Sequence, residues 1–158
     1  MPDLRLDIPD LRLDIRRSRR TDFTAVMGLL AACGLPIPPP DRATLRRFRH
    51  IVADLGTDFY LALVDGELAG LVHVTYAREL TVGQRARLDQ LLVAEAFRCR
   101  GIGTTLLEFA QRRAQGRGCT VLRCALPMAS AARHFLEKAG LQPGGEWLVR
   151  DLSNPHAA

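Results

Sequence analysis

With 158 residues, 47% of them hydrophobic, the chain has the size of one domain that buries about 70% of its unfolded surface, and no apolar run reaches the ~20 residues of a membrane-spanning helix. A formal charge of +5 and a pI near 9.6 point to an anionic ligand or surface, but the charge is almost all arginine, with Lys138 the single lysine, and sparse aromatic residues argue against an RNA-binding module. The four cysteines, Cys33, Cys99, Cys119 and Cys124, form no C-x-x-C pair and follow no secretory signal, so they read as reduced thiols of a soluble, cytoplasmic protein without a bound metal.

The amino terminus carries a perfect duplication: Pro2-Asp3-Leu4-Arg5-Leu6-Asp7-Ile8 is repeated by residues 9–15. The second copy alternates Leu11, Leu13 and Ile15 with charged residues, the period-2 pattern of a half-buried first strand. Residues 1–10 are then a spare strand, a disordered lead or an artefact. Residues 11–152 form a single domain, and 153–158 a tail.

Thr21 and Asp22 are placed to cap a first amphipathic helix that runs through Phe23, Val26, Met27, Leu29 and Leu30 and stops at Gly34. Pro36 to Pro40 make a stiff connector, and Asp41 caps a second helix that closes at Gly56. Residues 59–64 and 68–76 are strand-like runs joined by the hairpin signal Asp65-Gly66. The spacing predicts a polar loop over 77–86, a strand over 88–93, a helix from Gly101 to about Gln115 and a strand over 120–125. Ser130 caps a helix ending at Gly140, and a last strand covers 147–152. Strands alternating with helices in the second half imply an α/β class with a mixed, partly parallel sheet of about 6–7 strands flanked by about four helices.

The most informative segment joins the strand over 88–93 to the following helix through Arg98-Cys99-Arg100-Gly101-Ile102-Gly103-Thr104. The first N–H groups of a helix lack intrahelical partners and attract anions, so this turn has the form of a phosphate cradle. Gly101 and Gly103 leave room for a phosphate to approach the backbone, while Arg98 and Arg100 add charge-assisted bonds. Neither G-x-x-x-x-G-K-[ST] nor G-x-G-x-x-G is satisfied, because Leu106 occupies the last glycine position of the second pattern. This argues against nucleotide triphosphatases and dinucleotide-dependent dehydrogenases.

This segment resembles the hallmark of the GNAT superfamily of N-acetyltransferases, an apolar strand leading to [QR]-x-x-G-x-[GA], with Arg98, Gly101 and Gly103 in the defined positions. A second run, from Ala132 to Leu141, looks like that family's A-x-x-F-Y-x-x-x-G-F helix. The resemblance implies a coenzyme A site in which the backbone of Leu91, Leu92 and Val93 holds the pantetheine arm. The pyrophosphate would rest on the loop formed by Arg98, Cys99, Arg100, Gly101, Ile102, Gly103 and Thr104, bordered by Phe135 and Lys138. Alkylation of Cys99 is expected to block coenzyme binding.

Direct acetyl transfer to an amine needs a base and a proton donor. Asp89, on the strand entering the site, is the first choice as base, ahead of Glu95 and Glu79, with His73 in reserve. At the position where many relatives carry a tyrosine stands Leu136, which has no proton to give; Tyr76, Tyr60, Ser130 or water could substitute, or the coenzyme thiolate, with the ~8.5 pKa of an ordinary thiol, could leave unassisted. The expected function is acetyl-CoA-dependent transfer to an amine of a small molecule or protein, by a homodimer as in many similar proteins. The alternatives are a non-catalytic coenzyme-binding or regulatory module and a basic nucleic-acid-binding protein.

Overall fold

The computed structural model of the chain describes residues 4–8, 11–125 and 130–144. It divides into two compact units, Met1–Ala125 and Leu126–Ala158. The first holds a six-stranded sheet ordered β1 (Leu4–Ile8), β2 (Leu11–Arg17), β3 (Thr57–Val64), β4 (Glu67–Glu79), β5 (Gly83–Val93) and β6 (Val121–Cys124). The first four pairings are antiparallel. Only β5 and β6 run parallel, and the helix α3 (Ile102–Gly116) makes the crossover that such a pair requires. The mixed α/β sheet therefore matches the expected class, and the second copy of the repeat is a strand as its alternation predicts.

Helices α1 (Phe23–Ala32) and α2 (Arg42–Ala53) cover one face, where Val26, Leu29 and Phe48 join Phe59, Leu61 and Leu71 in one cluster. The alternate residues of β3 face α3: Tyr60 meets Phe109 at 4.8 Å between ring centroids. Covered on both sides, β3 is buried along nearly its whole length, which explains why its sequence is a continuous apolar run rather than an alternation. On α3, Ile102, Leu106, Leu107, Ala110 and Ala114 are buried, a single stripe at helical spacing.

Local signals explain most boundaries. Asp41 accepts the backbone N–H of Thr44 at 2.9 Å, the cap expected for α2, and the Asp65-Gly66 turn has both residues at positive φ, 49° and 85°, as a two-residue hairpin demands. Two expectations are corrected. Asp22 does not cap α1 with its side chain; it accepts the Arg19 N–H at 2.6 Å and pairs with Arg16 through two 2.8 Å bonds, closing a short 3-10 turn ahead of the helix. Residues 77–86 are not a loop, for β4 continues to Glu79 and β5 starts at Gly83. This end of the hairpin projects into solvent, so polar residues such as Arg78 and Gln84 face each other in register, and a polar composition hides the strand period.

A buried ion cluster ties the sheet to its helices. Asp58, 2% exposed, accepts from Arg17 at 3.3 Å, from Arg113 at 2.9 and 3.1 Å, from Arg117 at 3.0 Å and from the Tyr76 hydroxyl at 2.7 Å. Burial alone would raise its pKa, but the bonds from Arg113, Tyr76 and Arg117 outweigh that and hold the carboxyl below its usual range. Arg17 and Arg117 also bond the carbonyls of Asp54 and Leu55 after α2. The second unit contributes α4 (Ser130–Lys138), the fourth α-helix among the described residues. The predicted strand over 147–152 and the tail lie outside the described residues.

Candidate active site

The parallel ladder between β5 and β6 runs from Arg85↔Val121 to Leu88↔Cys124 and ends there. Among the described residues, 89–93 have no partner on that side. On the other side, the Ala94 N–H donates to the Ala69 carbonyl at 2.8 Å. Because bonded and non-bonded pairs alternate along an antiparallel ladder, Leu92 bonds Leu71, whereas Leu91 and Val93 turn their N–H and C=O groups away from β4 into the gap. The Val93 carbonyl receives Arg98 Nε at 3.2 Å and lies 3.9 Å from Cys33 Sγ at the end of α1.

Close approach sets this edge. A Cβ on Gly70, opposite Val93 in β4, would stand 2.6 Å from the Leu92 carbonyl oxygen and 3.2 Å from Leu106 Cδ1. Gly70 was not singled out from the sequence, although a glycine inside a strand pattern is a signal for such an approach.

The chain leaves β5 through a 3-10 turn over Glu95–Phe97. Phe97 is buried, and Arg100 stacks its guanidinium 5.9 Å from that ring. Two left-handed residues follow, Cys99 at φ 60° and Gly101 at φ 82°, and they reverse the backbone into α3. The nearly fully buried Ile102 pins the first turn to the core. No side chain caps this helix start; the first return bond is from the Thr105 N–H to the Gly101 carbonyl at 3.0 Å. Arg98, Cys99, Arg100, Gly101 and Thr104 are exposed. The N–H groups opening α3 therefore face solvent beside two arginines, and the unpaired edge of Leu91 and Val93 leads up to them. This arrangement fits an elongated ligand with an anionic end.

Asp89 sits where the β4–β5 register slips, His73↔Gln90 being followed by Val74↔Leu88. It is the extra residue of a bulge, and it lies at the fork where β6 departs. Its oxygens accept Arg87 Nε at 2.6 Å and Thr75 Oγ1 at 2.7 Å. On the same face His73 packs against Phe59, ring centroids 5.1 Å apart, and its buried Nε2 has no partner. Burial lowers the pKa of His73, with Asp89 opposing and Arg87 reinforcing the shift, so the ring is neutral at pH 7. Cys124, at the last rung before the fork, has its thiol pKa raised by burial and further by Asp89.

The structure thus brings Asp89, residues 91–93 and residues 98–104 together in the first unit. Phe135 and Lys138 lie on α4 in the second, the former half-buried and the latter exposed. Of the substitute proton donors, Tyr76 donates its hydroxyl hydrogen bond to Asp58 at 2.7 Å, and burial together with that bond raises its pKa. Tyr60 is buried against Phe109 and Arg113.

A family model described as the acetyltransferase (GNAT) family matches residues 17–141. The chain belongs to this family. It is 31% identical over 140 residues to the probable N-acetyltransferase 14 of Bos taurus, covering 80% of this chain and 61% of that protein. The Macaca fascicularis counterpart is 33% identical over 144 residues, covering 82% and 63%. This GNAT chain therefore spans a little over three-fifths of the length of those relatives. Among solved structures, a transcriptional regulator from Bacillus halodurans C-125 superimposes with a TM-score of 0.79 at 26% identity, over 89% of this chain and 99% of that one. The aminoglycoside N-acetyltransferase AAC(6')-Iy, solved in complex with CoA, shares the fold with a TM-score of 0.76 at 20% identity, over 92% and 98%. Among the described residues no helix is long and apolar enough to cross a membrane, and no cluster of metal-ligating side chains occurs.

Proposed function

We propose that this GNAT protein is an acetyl-CoA-dependent N-acetyltransferase, acting on an amine of a small molecule or protein, in the cytoplasm and as a homodimer. The observation that carries the reading is the continuity between the β5 edge at Leu91 and Val93, which has no strand partner among the described residues although the Val93 carbonyl accepts Arg98 Nε, and the solvent-facing N–H groups at the start of α3. That edge offers hydrogen bonds to the amides of a pantetheine arm, and the helix start with Arg98 and Arg100 offers an anion site for a pyrophosphate. The CoA held by the similarly folded aminoglycoside N-acetyltransferase supports the choice of ligand.

The bound coenzyme supplies an activated acetyl thioester. Asp89, at the fork beside the expected thioester position, attracts the acceptor ammonium and removes its proton, freeing a lone pair for attack on the carbonyl carbon. The carbon–sulfur bond then breaks. Leu136 has no proton to give and the Tyr76 hydroxyl is committed to Asp58, so the thiolate, with a pKa near ~8.5, leaves unassisted and is protonated by water.

The same commitment of Tyr76 favours a second reading, a regulatory module that binds coenzyme without turnover. Calorimetric titration of acetyl-CoA, followed by an amine screen, tests both. The primary reading expects binding that the Gly101→Asp, Gly103→Asp double variant loses, together with acetyl transfer. Binding without transfer to any amine favours the module. Absence of binding by the unmodified protein removes both and leaves the basic nucleic-acid-binding alternative, tested by salt-sensitive association with DNA or RNA.

A further inference from the structure

The duplicated heptapeptide lies outside the proposed coenzyme site. Strand β1 and residues 11–15 of β2 share the sequence Leu-Arg-Leu-Asp-Ile. They pair antiparallel, with Leu4↔Ile15, Arg5↔Asp14, Leu6↔Leu13, Asp7↔Arg12 and Ile8↔Leu11. Within the five-residue unit the first position opposes the fifth, the second the fourth, and the third itself. This register is symmetric about the central leucine, and it sets each charged position opposite its counter-charge. A pairing that joins two identical segments of one chain is equally suited to joining the same segment of two chains.

The outer edge of β1 has its hydrogen-bonding groups placed for this. The Ser18 N–H bonds the Phe59 carbonyl at 2.9 Å and the Asp65 N–H bonds the Arg12 carbonyl at 3.4 Å, so the even-numbered residues of β2 bond β3. By alternation, Leu11, Leu13 and Ile15 bond Ile8, Leu6 and Leu4. The backbone groups of Arg5 and Asp7 are left pointing outward, and no strand covers that edge among the described residues.

We propose that this edge is a homodimer interface, in which β1 pairs antiparallel with β1 of a second copy about a two-fold axis at Leu6. The Arg5 and Asp7 backbone groups of each copy would exchange four hydrogen bonds with Asp7 and Arg5 of the other, fusing two six-stranded sheets into one. In this register position 5, an arginine, stands opposite position 7, an aspartate, of the other copy. A slip of two residues sets Arg5 against Arg5 or Asp7 against Asp7, and a slip of one sets charged positions against apolar ones, so the alternatives are disfavoured. That self-complementarity selects a second copy of this chain over an unrelated strand. Five residues per strand make a contact well below the ~1,200–2,000 Å² of a standard interface, so the association is concentration-dependent. The inference rests on the homodimer part of the proposed function and is independent of its chemistry.

Sedimentation velocity over a concentration series into the hundreds of micromolar tests it. The unmodified protein is expected to pass from monomer to dimer. The Asp7→Pro variant loses only an outward N–H, which an edge strand tolerates, and is expected to remain monomeric with unchanged circular dichroism and acetyl-CoA titration. Two double variants, Arg5→Asp with Asp14→Arg and Asp7→Arg with Arg12→Asp, keep opposite charges between β1 and β2; each is expected to be monomeric and to dimerise when mixed, since mixing restores opposite charges between the two β1 strands. A monomer at every concentration overturns both the interface and the homodimer reading. A dimer that persists in Asp7→Pro and in each charge variant overturns the interface alone and puts self-association on another face.

Discussion

Arg113 holds both oxygens of Asp58, Nε to Oδ2 at 2.9 Å and Nη2 to Oδ1 at 3.1 Å, and so binds the last turns of α3 to the start of β3. The bidentate bond is the strongest link in a cluster where three guanidinium groups share one carboxylate. Removing the carboxylate leaves those cations uncompensated, and breaking a buried pair in this way costs about 3–5 kcal/mol. Asp58→Asn is expected to lower the urea midpoint accordingly. Because the folded-state pKa of Asp58 is depressed, its contribution is present above the ordinary value of 3.8 and is lost as pH falls through the folded value. The gap in stability between the two proteins should therefore narrow in strong acid.

Gly70→Ala places a methyl group 2.6 Å from the Leu92 carbonyl, and neither strand backbone gives way cheaply. A loss of roughly 1–3 kcal/mol is expected, as for other overpacked cores. The displaced edge is the one proposed to offer Leu91 and Val93 to the coenzyme, so calorimetry should show weaker acetyl-CoA binding than for Gly116→Ala, where a Cβ meets nothing within 4 Å.

His73 is neutral when folded and charges more easily when unfolded, because burial depresses its pKa. The unfolded state binds the extra proton as pH drops below the ordinary histidine value of 6.5, so stability falls from there down to the folded value and levels off below it. Thermal midpoints measured across that window should decline in the unmodified protein. The decline should flatten in His73→Leu.

Asp89→Asn keeps the size of the side chain but removes the proposed base. A fall in kcat of about 100-fold or more is expected with the amine found in the screen, while acetyl-CoA affinity stays unchanged. Thr75→Val, which deletes the 2.7 Å hydrogen bond to Asp89, should produce a smaller fall in the same direction.

The strand, turn and helix start that we propose as the coenzyme cradle were legible because they follow one another between Leu88 and Leu107. The Asp65-Gly66 hairpin and the Asp41 cap were legible for the same reason. Asp58 was not, since its partners come from positions 17, 76, 113 and 117 and nothing in its neighbours announces them. The extension of β4 and β5 was hidden by solvated residues such as Arg78, Glu79 and Gln84, whose polarity reads as loop. The bulge gave no sign either. It depends on the register of β4 against β5, which a single strand does not encode.

The Asp58 cluster has a mechanical consequence as well as an energetic one. Helix α3 is held by Arg113 and Arg117 near one end and opens the coenzyme cradle at the other, some 11 residues or about 17 Å away at 1.5 Å per residue. Between those ends Ile102, Leu106, Leu107, Ala110 and Ala114 seat the helix on the core, so its opening N–H groups are aimed by an apolar stripe along the helix and by an ion pair at its far end. In the proposed reading a shift of about 1 Å in those groups would cost about 100-fold.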